Sequence, residues 1–369
     1  MRRSLGGARR DGAPALAVRA TVPERDVELD VEVAAGEVVA VLGPNGAGKS
    51  TLLGLAAGIL RPASGTVHVG GRAVADGARW VPPHARRVAL LAQEPLLFPH
   101  LDALGNVAFG LRAAGTPRRE AARRAQELLD QVGAGDLADR RPAELSGGQA
   151  QRVALARALA PDPDVVLLDE PLSALDVGAA AELRQVLRQV LREAGRAAAL
   201  VTHDLLDVLA VADSVVVLEA GRVVERGPAL EVLSRPRSAF AARLAGVNLV
   251  AGTLAGAGGE AVVRAGDGLE LHGLPDPACE PGSAVAATFS PRAVSVHRAP
   301  PGGSPRNTVP VTLDALELQG ELVRVRGAAP GGHRLAADIT PGSVAALDLA
   351  PGSRVLFTVK AAEVSIYPA

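Results

Sequence analysis

Gly43-Pro44-Asn45-Gly46-Ala47-Gly48-Lys49-Ser50-Thr51 is the stretch that decides the fold, because two glycines separated by four residues are followed there by Lys and Ser. An apolar run over 37–42 precedes it and predicts a buried strand, and residues 52–57 after it predict a helix. Glycines let backbone N–H groups turn inward around an anion, and the following helix adds the positive end of its dipole. The stretch therefore predicts a phosphate-binding loop rather than a plain Gly-rich turn.

Two side chains of this loop have chemistry of their own. Lys49 can reach the β- and γ-phosphates of a nucleotide as a compact point charge, and the Ser50 hydroxyl can take one position on Mg²⁺. Only two of the 39 basic residues are lysines, Lys49 and Lys360. In a chain so biased toward arginine, a lysine is expected where a slim ammonium matters, which makes Lys360 a site candidate as well.

Length and composition limit the possible classes of protein. A chain of 369 residues suggests two or three domains, and its formal net charge of −1 argues against a dedicated nucleic-acid binder. The single cysteine, Cys279, excludes an intrachain disulfide. The basic N-terminus lacks the apolar core of a secretory signal, and no stretch approaches the roughly 18 apolar residues of a membrane span. We expect a soluble protein, or one held at a membrane by a partner.

Strands and helices alternate over 15–235, which predicts a doubly wound α/β domain with a helical subdomain over about 95–160. A disordered tail over 1–14 is expected before it and a linker helix over 236–246 after it. From 247 to 369 the sequence reads as short strands separated by Gly and Pro turns, without helices. This region repeats itself on either side of a linker near 299–305.

The repeat is visible residue by residue. Residues 282–288, leading to 294–296, reappear as 352–358, leading to 364–366, and Asn248 is echoed by Asn307. We therefore expect two copies of a small β-barrel unit, similar to an oligonucleotide-binding fold.

Asp169 and Glu170 follow a run of four apolar residues, 165–168, that is typical of a central parallel strand. Ligands bind at the carboxyl edge of such sheets. Adjacent strand side chains point to opposite sides, so Asp169 can face Mg²⁺ while Glu170 acts as general base toward an attacking water. The alternative is a solvated acidic pair at a strand end, which the upstream phosphate loop disfavours.

Leu145-Ser146-Gly147-Gly148-Gln149 has the pattern of a capping box, with Ser146 as N-cap and Gln149 reaching back, and a capped helix that begins with two glycines is also an anion site. This stretch occurs together with the phosphate loop, the Asp169-Glu170 pair, Ser173-Ala174-Leu175-Asp176 and Thr202-His203-Asp204. In order and approximate spacing, these motifs resemble those of the ATP-binding-cassette (ABC) ATPases. The resemblance covers about residues 15–235.

The resemblance implies ATP and Mg²⁺ as cofactors and a second copy of the chain as partner. Two cassettes would enclose two ATP molecules head to tail, so that Ser146, Gly147, Gly148 and Gln149 of one protomer face the γ-phosphate held by the other. It also assigns Mg²⁺ binding and contact with the membrane partner to Gln93, a γ-phosphate contact to His203, and a link between the sites to Asp176. His203 alone could be a surface residue at a strand end. Members of the family usually stack an aromatic side chain on adenine. No aromatic residue lies between 14 and 43 here, so we expect an aliphatic residue such as Val22 to pack against the base.

The tail resembles the TOBE or Mop-like molybdate-binding domain of molybdate importers and related storage proteins, at Ser304-Pro305-Arg306-Asn307, at 339–343 and at 359–364. Pro305 and Ala362 depart from that pattern. The implied oxyanion ligands offer donors and positive charge without acceptors that would repel a dianion: Ser304, Arg306, Asn307, Thr340, Ser343 and Lys360. The alternative is an inert β-domain that only strengthens dimerisation.

These resemblances predict the ATP-hydrolysing subunit of an importer of molybdate or tungstate, peripheral on the cytoplasmic face of the cell membrane. Its partners would be transmembrane permease subunits and, indirectly, a periplasmic or extracellular substrate-binding protein. The alternatives are an importer of sulfate, iron, polyamine or sugar, and a soluble ABC protein of DNA repair or translation. The soluble class usually carries two cassettes or a long coiled-coil insertion, and neither is visible in the sequence. A pure oxyanion-storage protein conflicts with the intact ATPase motifs.

Overall fold

The computed structural model describes residues 13–193, 195–256, 261–266, 268–302 and 306–369. The chain divides into two compact units, with the boundary between residues 230 and 231. Residues 1–12 of the predicted disordered tail over 1–14 lie outside the described residues, as does the candidate ligand Ser304.

The first unit contains one antiparallel sheet of four strands in the order β2-β1-β4-β5. The strands are β1 Leu16–Val22, β2 Val27–Val33, β4 Ser64–Val69 and β5 Arg72–Ala75. The predicted hairpin is confirmed: Gly70 and Gly71 join β4 to β5, and both have positive φ, as a two-residue hairpin turn requires.

A second sheet of six strands has the order β10-β9-β3-β8-β7-β6. Its strands are β3 Val38–Leu42, β6 Val88–Leu91, β7 Val165–Asp169, β8 Ala197–Val201, β9 Ser214–Glu219 and β10 Arg222–Pro228. All neighbours pair in parallel except the edge strand β10. Strands β3 and β8 are buried along their whole length, which explains their continuous apolar sequence.

Helices lie on both faces of this sheet, so the α/β fold class is confirmed. They are α1 Lys49–Ala57, α2 Ala103–Ala113, α3 Arg118–Gln131, α4 Gly147–Leu159, α5 Val177–Glu193 and α6 Leu205–Val211. Alternate residues of β3 enter different cores: Val39 and Val41 pack with α1, whereas Val38 packs with the other helices. The carboxyl ends of β3, β7 and β8 therefore lead to 43, 170 and 202 at one edge of the sheet.

The second unit is largely β, and the all-β tail is confirmed. After α7 Ala229–Ser234 and α8 Ala239–Ala245 come β11 Asn248–Ala255, β12 Val262–Arg264, β13 Glu270–His272, β14 Leu274–Pro275, β15 Ala284–Phe289, β16 Ser295–His297, β17 Asn307–Gln319, β18 Leu322–Ala328, β19 Arg334–Ile339, β20 Arg354–Val359 and β21 Ser365–Pro368. The expectation of a tail without helices is wrong at one place, where α9 Pro341–Ala346 begins at the N-cap Thr340.

The repeated sequences have the same strand register: Asn248 lies opposite Phe289, and Asn307 lies opposite Val359. They do not form two separate barrels, however, because the repeats exchange their last strands. Strand β21 pairs with β15 of the first repeat, while β16 pairs with β20 of the second. The two sheets, of six and five strands, are therefore built from both repeats.

Candidate nucleotide site

The phosphate loop follows β3 directly and ends where α1 begins at Lys49. Gly43, Gly46 and Gly48 all have positive φ, at 145°, 81° and 102°. The Lys49 ammonium donates hydrogen bonds to the carbonyl oxygens of Gly43 at 2.8 Å and Pro44 at 2.9 Å. The lysine thereby folds back over its own loop and lies beside the place where the phosphates of a nucleotide would sit.

Two glycines of the loop predict different costs of substitution. A Cβ on Gly43 would overlap the carbonyl oxygen of Leu218, whereas a Cβ on Gly46 would meet no atom within 4 Å. Gly46→Ala should therefore cost only the positive-φ penalty of about 1–2 kcal/mol in unfolding free energy, and Gly43→Ala clearly more. Chemical denaturation of both variants checks the order. Equal losses would contradict the packing around Gly43.

Two carboxylates lie close to Lys49. Burial lowers the pKa of its ammonium, and the negative charges of Glu170 and Asp169 oppose that shift. Burial also raises the pKa of the Asp169 carboxyl, and Glu170 raises it further while Lys49 lowers it. Cations bound here therefore favour the ionised form of Asp169.

Glu170 lies just beyond β7 with a left-handed backbone, φ 45°, which is uncommon for a residue other than glycine. The expectation that strand alternation directs its side chain is thus wrong. Its N–H donates to the carbonyl of Val201, at the end of β8, across 3.0 Å, and the Ser173 hydroxyl donates to its carbonyl, also across 3.0 Å. These bonds hold the turn in place, and conformations of this kind cluster at functional sites.

His203 and Gln93 approach the turn at Glu170 from the two strands that flank β7, namely β8 and β6. The Nδ1 atom of His203 lies 3.4 Å from an Oε atom of Glu170. The Gln93 amide, which follows β6, donates to the Ser173 hydroxyl at 3.1 Å. The structure thus brings Lys49, Asp169, Glu170, His203 and Gln93 together at one edge of the sheet.

A buried ion pair beside His203 was not predicted. Arg184, on α5, bonds to Asp207, on α6, at 2.6 Å, and the adjacent Thr202 donates to the same carboxylate at 2.7 Å. Both acid and hydroxyl are almost fully buried. The pair fixes the backbone that carries His203. The local sequence gives one indication of this ion pair, namely the acidic residue Asp207 in the first turn of the helix that follows Thr202-His203-Asp204.

The predicted capping box is confirmed. Ser146 accepts from the N–H of Gln149, and the Gln149 side chain accepts from the N–H of Ser146 at 3.0 Å. Ser146 is exposed, and within the described part of one chain no hydrogen bond joins it to the phosphate loop. Asp176 is also exposed and accepts from the N–H of Ala179 at the start of α5. This segment is therefore open to a second molecule.

The donors of the candidate magnesium site are a carboxylate of Asp169, the hydroxyl of Ser50 and the amide of Gln93. Among the described residues, no group of three or more His, Cys, Asp or Glu side chains could hold a metal by itself. Mg²⁺ bound with a nucleotide needs few protein ligands, because phosphate and water oxygens complete its shell. These donors fit that requirement.

The candidate oxyanion residues divide into three groups. Arg306 and Lys360 line one cleft of about 930 Å³, which Arg292 also lines. Thr340 and Ser343 do not line it; Thr340 caps α9 by accepting from the N–H of Ser343. The amide of Asn307, which is 1% exposed, both donates to and accepts from the backbone of His272. The expectation that Asn307 is an oxyanion ligand therefore needs correction, because its amide is buried and already bonded.

Asn307 has a counterpart in the first repeat. Asn248 makes the same pair of bonds to the backbone of Ala336 on β19. Each asparagine thus ties its own repeat to the other one, which explains why the two positions echo each other in sequence.

Among the described residues, no helix is both long and apolar enough to cross a membrane.

Comparison with known proteins identifies relatives for the whole chain. The family profile described as "ABC transporter" matches residues 27–173, and the profile "TOBE domain" matches 303–366. The molybdenum import ATP-binding protein ModC of Mycobacterium tuberculosis is 51% identical over 362 residues, 96% of this chain and 97% of the relative. The Fe(3+) ions import ATP-binding protein FbpC of Streptomyces avermitilis is 49% identical, over 62% of this chain and 65% of its own. The solved structure of CbiO1 from Clostridium perfringens, part of the ABC transporter complex CbiONQ, is 31% identical with a TM-score of 0.55, over 60% of this chain and 91% of that one.

Proposed function

Because this chain belongs to the family of ABC transporter ATP-binding proteins, we propose that it hydrolyses ATP to drive the import of molybdate, or of the similar oxyanion tungstate. The substrate is assigned from how much of this chain each relative matches. The molybdenum import relative matches 96% of the chain, tail included, whereas the iron import relative matches 62%. Cassettes of many importers share the first unit, so the tail is the part that distinguishes among substrates.

Hydrolysis follows from the residues gathered at the sheet edge. The phosphate loop binds the triphosphate and Lys49 neutralises its β- and γ-oxygens. Glu170 takes a proton from the attacking water, whose oxygen bonds to the γ-phosphorus as the bond to the bridging oxygen breaks. His203, 3.4 Å from Glu170, contacts the γ-phosphate. When bound by Asp169, Ser50 and Gln93, Mg²⁺ neutralises charge on the phosphates.

A second copy of the chain completes each site. Ser146 is exposed at the N-terminus of α4, and Gly148 lies in the first turn of this helix, which suits the γ-phosphate held by the loop of the partner. Asp176 lies at the same surface and links the two sites. Closure of the dimer around ATP would bring these groups to the phosphate and drive the permease through its conformational change.

The membrane partners bind the first unit near Gln93. Leu96 and Phe109 expose apolar side chains there, and Arg157 donates to the carbonyls of Pro95 and Leu96 at 2.9 and 2.8 Å. The backbone near Leu96 is thus held in place, and its surface is partly apolar, as a docking surface for a permease requires. The chain would then be peripheral on the cytoplasmic face, and a substrate-binding protein would act on the opposite face.

Uptake in cells tests the substrate. In a strain of the source organism that lacks this gene, uptake of radiolabelled molybdate should fall to background and return with the wild-type gene but not with Glu170→Gln. Uptake of sulfate and of iron, measured in the same cells, should not change. Loss of iron or sulfate uptake with normal molybdate uptake would contradict the proposed substrate.

We expect the second unit to bind molybdate directly. Arg306 and Lys360 share a cleft and carry charge suited to a dianion, and removal of one charged donor should weaken molybdate binding about tenfold. Titration calorimetry of the full chain with molybdate, tungstate and sulfate should show this loss in Arg306→Ala and Lys360→Ala. Arg354→Ala removes the same charge outside that cleft and is the matched control. Unchanged binding in both cleft variants would remove the cleft from the proposal.

A further inference from the structure

Arg25 is a cation beside the phosphate loop that the proposed mechanism does not use. It lies in the turn between β1 and β2, and its Nη1 atom is 3.5 Å from the hydroxyl of Thr51. Thr51 is 4% exposed and belongs to the first turn of α1, directly after Ser50. In the described part of the chain no carboxylate forms an ion pair with Arg25, whereas Arg19, Arg87, Arg123 and Arg124 each have one. An exposed, uncompensated guanidinium next to an anion-binding loop is placed to meet part of the ligand.

The turn that carries Arg25 is packed against the helical end of the loop. Val27 contacts Gly48, since a Cβ there would lie 3.2 Å from a methyl of Val27. The N–H of Glu28 donates to the carbonyl of Gly221 at 2.9 Å, so β2 is tied to the hairpin between β9 and β10. These contacts hold the turn that carries Arg25 beside the phosphate loop.

Glu170 and His203 identify the other end of the ligand. They follow β7 and β8 and contact each other, and the charge of Glu170 acts on Lys49. In the proposed mechanism this is the side where the γ-phosphate is cleaved. Arg25 comes from the other sheet and reaches α1 beyond Lys49 and Ser50. A triphosphate extended between the two therefore directs its ribose and base toward Arg25.

No aromatic side chain in the described first unit is free to cover that base. Trp80 packs against the guanidinium of Arg86, 4.5 Å from its ring centre, and Phe98 packs against Phe109 with centroids 4.6 Å apart. Val22, the aliphatic residue expected from the sequence, is 5% exposed and belongs to the core, so that expectation is wrong. A guanidinium is planar and stacks on flat π-systems, which an ammonium does not do.

We propose that Arg25 is the base-binding residue of the nucleotide site and that its guanidinium stacks on the purine ring of the bound nucleotide. This inference rests on the proposed ATP site. Because stacking does not read the polar edge of the base, Arg25 should contribute similarly to ATP and GTP.

Steady-state kinetics of the full chain test the inference. Arg25→Ala should raise the KM for ATP and for GTP about tenfold, with kcat little changed, while the inhibition constant of inorganic tripolyphosphate stays as in the wild type. Arg25→Tyr offers another flat ring and should remain within about threefold of the wild type, whereas Arg25→Lys should resemble Arg25→Ala. Arg19→Ala, a matched loss of charge on the same sheet, should change none of these values.

Three results would overturn the inference. Equal weakening of ATP and tripolyphosphate by Arg25→Ala would place Arg25 on the phosphates, and unchanged KM values would make it a surface residue. Failure of Arg25→Tyr to restore the KM, in a variant whose thermal unfolding matches the wild type, would also exclude stacking. Absence of ATP hydrolysis by the wild-type chain would instead count against the proposed function, which keeps the two failures distinct.

Discussion

Replacing Glu170 by Gln is expected to lower the kcat of ATP hydrolysis by about 10²–10⁴-fold, the contribution of a positioned general base. The substitution keeps the size of the side chain and the left-handed turn, whose bonds to Val201 and Ser173 use only the Glu170 backbone and the Ser173 hydroxyl. An amide cannot accept the proton of the attacking water at neutral pH. ATP should therefore still bind, and the nucleotide-bound state should accumulate.

Single-turnover hydrolysis and equilibrium binding of ATP separate these two effects. Glu127→Gln is a suitable control, because Glu127 is an exposed residue of α3 that pairs with Arg123. It should hydrolyse ATP like the wild type. Turnover by Glu170→Gln within about tenfold of the wild type would remove Glu170 from the role of base.

Replacing Lys49 by Ala should lower kcat/KM for ATP by about 10²–10³-fold or more, the usual cost of one preorganised charged donor. The Lys49 ammonium already donates to Gly43 and Pro44, so its position does not have to be created when ATP arrives. The phosphates add negative charge around it and oppose the lowering of its pKa by burial. Both effects place a charged donor against the γ-phosphate.

Lys49→Arg provides the sharper comparison. It keeps the charge, but the planar guanidinium of arginine cannot fit between the carbonyls of Gly43 and Pro44 as the smaller lysine ammonium does. It should lose nearly as much activity as Lys49→Ala, although the rest of this chain uses arginine almost exclusively. Retention of more than about half of the activity would show that charge alone suffices at this position.

Sequence could predict the parts of the site that depend on local contacts. The glycines of the phosphate loop, the reciprocal bonds of Ser146 and Gln149, and the turn at Gly70-Gly71 each follow from residues close together in the chain. The buried strands of the central sheet were equally predictable, because a strand covered on both faces is apolar throughout. The register of the tail repeat also followed from the sequence, since the two copies align position by position.

The remaining features depend on contacts between distant residues. The left-handed conformation of Glu170 is held by Val201 from another strand, and Val22 turned inward because β1 packs on α1. Asn307 was expected to be an oxyanion ligand, yet its amide bonds to the backbone of His272 in the other repeat. The exchange of β16 and β21 has the same origin: the pattern of a strand does not say which neighbour it will pair with.

Cysteine cross-linking tests most directly whether ATP is hydrolysed in a site shared by two copies. The chain has one native cysteine, Cys279, and its replacement by Ala leaves a background in which Asn45→Cys marks the loop tip and Ser146→Cys marks the capped helix. With Glu170→Gln added to preserve the nucleotide, a shared site predicts a disulfide-linked dimer on oxidation with ATP and little without it. Each single-cysteine chain should stay uncross-linked. Absence of an ATP-dependent dimer, or its formation to the same extent by either single-cysteine chain, would contradict the shared site.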